Sequence, residues 1–273
     1  MSDKRPFLPV KYDVIFRLFF ADERNEEELI SLLKSILQLP DDDYNEIEIS
    51  DPYLLPDYVG DKLAVIDVKL KTKSKKIIHI EINLKVTPVI KERMVFYGAK
   101  LITEQMGSGD DYGKIKKVIS ILITDETLIP NSKKYHHRFT FFDSDANLEL
   151  TDVMEIHSIE LVKLPPYTDG TPLYDWAKFI AAETEEDLKM VAERNPQIGR
   201  AVVKLRELSA DERARDLLER REKGRRDLEA YANSKVEKEK IAIAKNFLKI
   251  GVQIEQIAEA TGLPREVIEG LRN

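Results

Sequence analysis

Apolar positions near the start of the chain recur at helical spacing. The run Val14-Ile15-Phe16-Arg17-Leu18-Phe19-Phe20 predicts a short helix within 11–20, and Leu29, Leu32, Leu33, Ile36 and Leu37 predict a better one over 26–38. Glu26, Glu27 and Glu28 fall in the first turn of the second helix, where they complement its dipole, and Pro40-Asp41-Asp42-Asp43 ends it. The period then drops to two. Glu46 to Ile49 alternates, as does Leu63 to Leu70, and Ile78 to Lys85 alternates most clearly. Ile78, Ile80, Ile82 and Leu84 share one face of that strand, and His79, Glu81, Asn83 and Lys85 share the other. Thr72, Lys73, Ser74 and Lys75 form the turn of a hairpin between the last two strands.

Pro88 opens, and Gly107 closes, a helix over 89–106. Lys116 to Thr124 is nearly all apolar and reads as a buried strand, followed by strands over 136–142 and 154–161. The order is that of a mixed α/β domain. The turn cluster Leu164-Pro165-Pro166-Tyr167-Thr168-Asp169-Gly170 marks a boundary, giving a domain over 1–165 and a helical region over 166–273. Within that region, Trp176 is expected to anchor the first helix. Residues 199–240 are rich in Arg, Lys, Glu and Asp and predict an exposed helical pair laced by ion pairs and broken near Gly224.

Composition narrows the chemistry. The 273 residues include no Cys and only 4 His, which excludes disulfides, a thiol nucleophile and a cysteine-ligated metal, and leaves carboxylates as the metal ligands. No apolar run reaches the ~20 residues of a membrane span, and no signal-peptide pattern opens the chain, so a cytoplasmic protein without a membrane partner is expected. The net charge of −7 argues against a nucleic-acid-binding surface over the whole molecule. Its distribution is uneven, however. Residues 1–60 hold 6 basic and 14 acidic side chains, whereas residues 61–100 hold 10 basic and 4 acidic. That basic block is either a phosphate-facing surface or a solvated strand and turn.

Two carboxylates stand out. Asp67 lies in Ala64-Val65-Ile66-Asp67-Val68 and Glu81 in Ile78-His79-Ile80-Glu81-Ile82, both otherwise apolar. A carboxylate in an apolar strand is costly to bury unless it is paired or holds a cation. Adjacent strands lie about 4.8 Å apart, so two carboxylates at matching heights reach one divalent ion, and hard oxygen donors suit Mg²⁺ or Mn²⁺. The other reading puts both on a solvent face, paired with Lys69 or Lys85. His136-His137 reads as a surface pair at a strand end.

An Asp-bearing strand, a hairpin and a Glu-bearing strand resemble the site of the PD-(D/E)XK nuclease superfamily. Tyr12-Asp13-Val14-Ile15-Phe16-Arg17-Leu18-Phe19 resembles the opening of its Rpn group, the recombination-promoting nucleases also described as transposases. Leu29 to Leu39, Glu92-Arg93 with Tyr97, Glu104-Gln105 with Gly107, Lys117 to Ile121, and Ile257-Ala258 with Thr261-Gly262-Leu263 and Ile268 resemble later segments of that group, in the same order. The resemblance implies a restriction-endonuclease-like core, a mixed sheet flanked by helices, with an all-helical C-terminal region. It implies a metal-dependent DNA endonuclease linked to recombination or transposition, with Mg²⁺ or Mn²⁺ held by Asp67, Glu81 and the carbonyl of Ile82. Asn83 stands where the group usually has Gln and the wider superfamily Lys; it keeps an amide one methylene shorter. Asn83 or Lys85 would orient the attacking water. Asp13 is the candidate for the extra acidic group, or simply a residue favoured by the helix dipole. Arg93 and Tyr97, four apart on one helix face, would contact DNA phosphate, or else pair with Glu81 and pack on the sheet. The other reading of the whole is a nuclease fold that has lost cleavage and binds DNA or protein.

The tail, Ile254 to Ala260, a turn and Pro264 to Leu271, fits a helix-turn-helix. Arg265 and Arg272 stand beside Glu266 and Glu269, so packing or homo-oligomerisation through the C-terminal helices competes with DNA reading.

Overall fold

A computed structural model of the chain describes residues 6–50, 53–54 and 64–271. They divide into two compact units, Met1–Leu218 and Glu219–Asn273.

The first unit opens with α1 (Asp13–Phe20) and α2 (Glu26–Ile36). Strands β1 (Glu48–Ser50), β2 (Tyr53–Leu54), β3 (Ala64–Val65), β4 (Val68–Lys71) and β5 (Ile77–Asn83) follow. Then come α3 (Ile90–Thr103), β6 (Val118–Thr124), β7 (His136–Asp143) and β8 (Leu148–Glu160). The main sheet has the order β1-β4-β5-β6-β8-β7, while β2 and β3 pair separately. β4 and β5 form the expected antiparallel hairpin, with Val68 opposite Ile80. β5, β6 and β8 run parallel, and β7 returns antiparallel to β8 at the edge. The strand read over 63–70 is thus interrupted at Ile66-Asp67; residues 61–63 lie outside the described residues.

Both faces of the sheet are covered. Ile78, Ile80, Ile82, Ile119, Ile121 and Ile123 point into the main core, against Phe16, Phe19 and Phe20 of α1 and Leu29, Leu32 and Leu33 of α2. On the other face α3 lays Ile90, Met94 and Leu101 onto Val118 and Leu122. The alternating polar face of β5 therefore meets a helix rather than bulk water.

After the turn cluster come α4 (Pro172–Ala181), α5 (Glu185–Arg194) and α6 (Pro196–Ala210). Trp176, Phe179, Leu188, Ile198 and Leu205 join the same core as α1 and α2. The indole N–H of Trp176 donates to Ser31 Oγ of α2 at 3.1 Å. These helices add a second tier to the first unit's core.

α7 (Glu212–Lys249) is one helix of 38 residues and runs through Gly224, where the sequence predicted a break. A helical Gly costs about 1 kcal/mol relative to Ala, too little to interrupt a long run of Arg, Glu, Lys and Leu. In the second unit, α8 (Ile254–Thr261) and α9 (Arg265–Gly270) gather Ile254, Ile257, Leu263 and Ile268 around Ala244. Gly262 ends α8 at φ 67, the left-handed cap that favours Gly. Arg265 is paired with Glu255 at 2.8 Å and Glu269 at 3.0 Å, and Arg272 lies outside the described residues. No helix among the described residues is long and apolar enough to cross a membrane.

Candidate active site

Asp67 and Glu81 meet because the ladder between β4 and β5 stops one residue short of Asp67. With Val68 opposite Ile80, the next antiparallel partners would be Asp67 and Glu81, and then Ile66 and Ile82. The chain bends at Asp67 instead, and its Oδ2 accepts the Ile82 N–H at 2.8 Å. A side-chain carboxylate thereby takes the position of a ladder carbonyl and is fixed beside the Glu-bearing strand.

Glu81 lies on the α3 face of β5 and is only 6% exposed. Its Oε2 is 3.6 Å from Arg93 Nη2, and its Oε1 is buried without a hydrogen-bond partner. Burial, and then the nearby charge of Asp67, raise its pKa well above the usual carboxylate range, against the opposing pull of Arg93. Glu81 does not lie on a solvent face, since it is covered by α3, and Lys69 pairs with Glu104 at 3.4 Å.

Asn83 closes β5 on the same face. Its Oδ1 accepts from Arg93 Nη2 at 2.9 Å, which fixes the amide orientation because a guanidinium only donates. Asn83 Nδ2 is buried with no partner. Arg93 also lies 5.8 Å from the Tyr97 ring centroid, and Tyr97 meets His79 edge-on at 6.4 Å. Burial, then the charge of Glu81, raise the Tyr97 hydroxyl pKa.

Lys85 lies two residues beyond the end of β5 and is exposed, so it does not continue the strand face that carries Glu81 and Asn83, as the alternation predicted. Asp13 is the first residue of α1, and its Oδ1 accepts from the Val14 N–H at 2.9 Å. Lys11 bonds to both Asp125, at 2.6 Å, and Glu183, and the Asp125 N–H donates to the Asn83 carbonyl at 3.3 Å. The residues before α1 are thus tied to the end of the sheet that carries Asn83. Among the described residues no set of three His, Asp or Glu side chains is gathered closely enough to hold a metal, so Asp13 does not complete a triad with the pair.

One residue was missed by the sequence reading. His79 shares the face of Glu81, is fully buried, and bonds to Ser120 Oγ at 2.5 Å. Burial, followed by the charge of Lys69, pushes its pKa down to about 3, so the ring packs under Tyr97 uncharged. Its position two residues before Glu81 was the available signal. His136 corrects another expectation. It is half-buried and bonds to buried His157 at 2.8 Å, which bonds to Glu155 at 2.6 Å.

The donor set fits a hard divalent cation. Mg²⁺ needs only one or two carboxylates with the remaining positions filled by water or substrate oxygen, and the unpartnered Glu81 oxygen is a hard donor already removed from bulk solvent, whose proton a cation would displace. Asp67, Glu81 and the Ile82 carbonyl are the groups that would hold it.

A family model described as PD-(D/E)XK nuclease family transposase matches residues 10–235. No curated protein and no solved structure gives a match. The match runs through every element that builds this site, and the mixed sheet with its helical layers is consistent with that nuclease fold. The chain therefore belongs to the PD-(D/E)XK nuclease family of transposases.

Proposed function

We propose that the chain is a metal-dependent DNA endonuclease that cuts phosphodiester bonds during transposition or recombination, with Asp67 and Glu81 as its catalytic carboxylates. The observation that carries this reading is their convergence at the interrupted ladder, with one Glu81 oxygen buried and unpartnered. Phosphodiester hydrolysis needs an activated water, an in-line approach and neutralisation of charge on the transition state. A bound Mg²⁺ or Mn²⁺ supplies a lowered pKa for water and offsets that charge.

The chain's own residues do the rest. Asn83 Nδ2 is a buried donor beside the Glu81 carboxyl, suited to holding the attacking water or a non-bridging phosphate oxygen. Arg93 fixes the Asn83 amide and places a half-buried guanidinium beside the carboxylates, where it attracts the phosphate backbone. Tyr97 backs the guanidinium with its ring. Lys85, exposed beyond the strand end, serves as a second phosphate contact.

Plasmid nicking with Mg²⁺, Mn²⁺ or Ca²⁺, run beside Asp67→Asn and Glu81→Gln, tests the proposal. Cleavage in Mg²⁺ or Mn²⁺ that both variants lose supports it. Cleavage that survives either substitution rejects it. The second reading, a DNA-binding protein without cleavage, is favoured by one observation: Arg93 already occupies the Asn83 oxygen that would accept from water. DNA binding with no nicking under any of the three ions selects it.

A further inference from the structure

β7 and β8 continue past the body of the sheet. β8 first pairs with β6 at Met154, so residues 148–153 have ladder partners only on β7, and the two strands form a hairpin arm. β7 is the outermost strand. An isolated two-stranded hairpin is marginal in water, yet this one exposes Phe139, Phe141 and Phe142 by 44–52%, Leu148 by 64% and Leu150 by 84%. Such an arm is either a liability or an interface.

Its charges indicate what covers it. The base carries Lys133, Lys134 and Arg138; the far half carries Asp143, Asp145, Glu149 and Asp152. The acidic far half repels a nucleic-acid backbone. The arm is instead complementary to itself reversed. β7 is irregular between Phe139 and Phe142, and Arg138 is already held by Glu155 at 2.8 Å; an antiparallel pairing of two copies about a two-fold axis near the middle of β7 brings Asp143 and Asp145 of each copy toward Lys133 and Lys134 of the other.

The area is sufficient. An aromatic side chain buries about 150–250 Å², so three half-exposed Phe rings contribute roughly 300 Å² per copy and roughly 600 Å² across the axis. The paired strand backbone adds the remainder of a small interface, in the class below about 1,200 Å².

We propose that two copies of this chain dimerise through β7, forming an isologous interface that joins their sheets edge to edge. Light scattering and sedimentation on the full chain test it. The wild type is expected to be a dimer at about 100 μM, well above a micromolar dissociation constant. Phe141→Glu with Phe142→Glu should weaken association about tenfold or more, with the circular dichroism spectrum retained. Lys133→Glu with Lys134→Glu should weaken association on its own, as should Asp145→Lys with Glu149→Lys, because each makes the arm's two ends alike in charge. Mixing these two charge variants should restore a heterodimer, an outcome that neither misfolding nor a distant interface produces. A wild type that is monomeric at that concentration overturns the proposal. So does a dimer indifferent to all of these changes, which would place the contact in the C-terminal helices, or a mixture that stays monomeric.

Discussion

Replacing Glu81 by Gln should stabilise the protein while removing the metal affinity proposed for it. Glu81 sits behind α3 with one oxygen unpartnered and Asp67 beside it, and these raise its pKa from the ordinary 4.5 to about 8. The folded state therefore holds this proton more tightly than the unfolded chain. Unfolding releases it between pH 4.5 and about 8, so stability falls as pH rises across that window. At pH 7 the full linkage is worth about 3 kcal/mol, and structural relaxation reduces it to roughly 2. Gln keeps the shape without the ionisation. For a folded unit of this size, 2 kcal/mol corresponds to about 4–8 °C in Tm. Scanning calorimetry from pH 5 to 9 should show the two proteins nearly equal at the acid end, with Glu81→Gln pulling ahead as pH rises. Added Mg²⁺ should raise the wild-type Tm and leave the variant unmoved, because only the wild type retains both anionic ligands. A difference that does not change with pH, or a variant less stable than wild type at pH 8, would refute the electrostatic reasoning.

Asn83→Gln extends the amide by one methylene past the Arg93 contact and should raise the nicking rate, within the 10²–10⁴-fold range of a positioned polar group. Lys85→Ala, beyond the strand end, should raise KM for DNA a few-fold and leave kcat nearly unchanged, as single-turnover assays would show. Arg93→Ala frees the Asn83 oxygen and removes the cation nearest Glu81, so DNA affinity should fall and become less sensitive to salt in a titration of binding against ionic strength. Trp176→Ala empties a fully buried site between α4 and α2 and should cost about 3–5 kcal/mol in chemical denaturation, a loss expected only where the helices after residue 165 belong to the same cooperative core.

What was legible in the sequence followed from local periodicity. β5 announced itself because Ile78, Ile80 and Ile82 alternate with His79, Glu81 and Asn83, and that alternation, with the one over Leu63 to Leu70 and the turn between them, put both candidate carboxylates near a hairpin. Contacts set by distant segments were not legible. Nothing local to β5 says that its polar face is covered by α3, that Arg93 ends on the Asn83 oxygen, or that His136 reaches His157 across the strand pair. At Lys85 period two continues in the sequence beyond Asn83, where the strand ends. The helices from Pro172 onward were read correctly as helices, but no pattern within them reveals that Trp176 and Phe179 pack against α1 and α2. Gly224 shows the reverse error, in which a residue of low helix propensity is outvoted by its neighbours.

The interrupted ladder gives the two acidic residues opposite evolutionary fates. Asp67 satisfies the Ile82 amide, and losing it would strand a backbone donor, a defect worth about 1–3 kcal/mol when buried. Selection for folding alone would keep an acceptor there after cleavage had ceased to matter. Glu81 is the opposite case: its buried oxygen strains the fold, and neutral drift toward Gln or an apolar residue would be rewarded with stability. A chain under no pressure to cut DNA would therefore shed Glu81 long before Asp67. Among lineages descended from such an enzyme, it is the costly glutamate, rather than the structurally useful aspartate, that records continuing selection for catalysis.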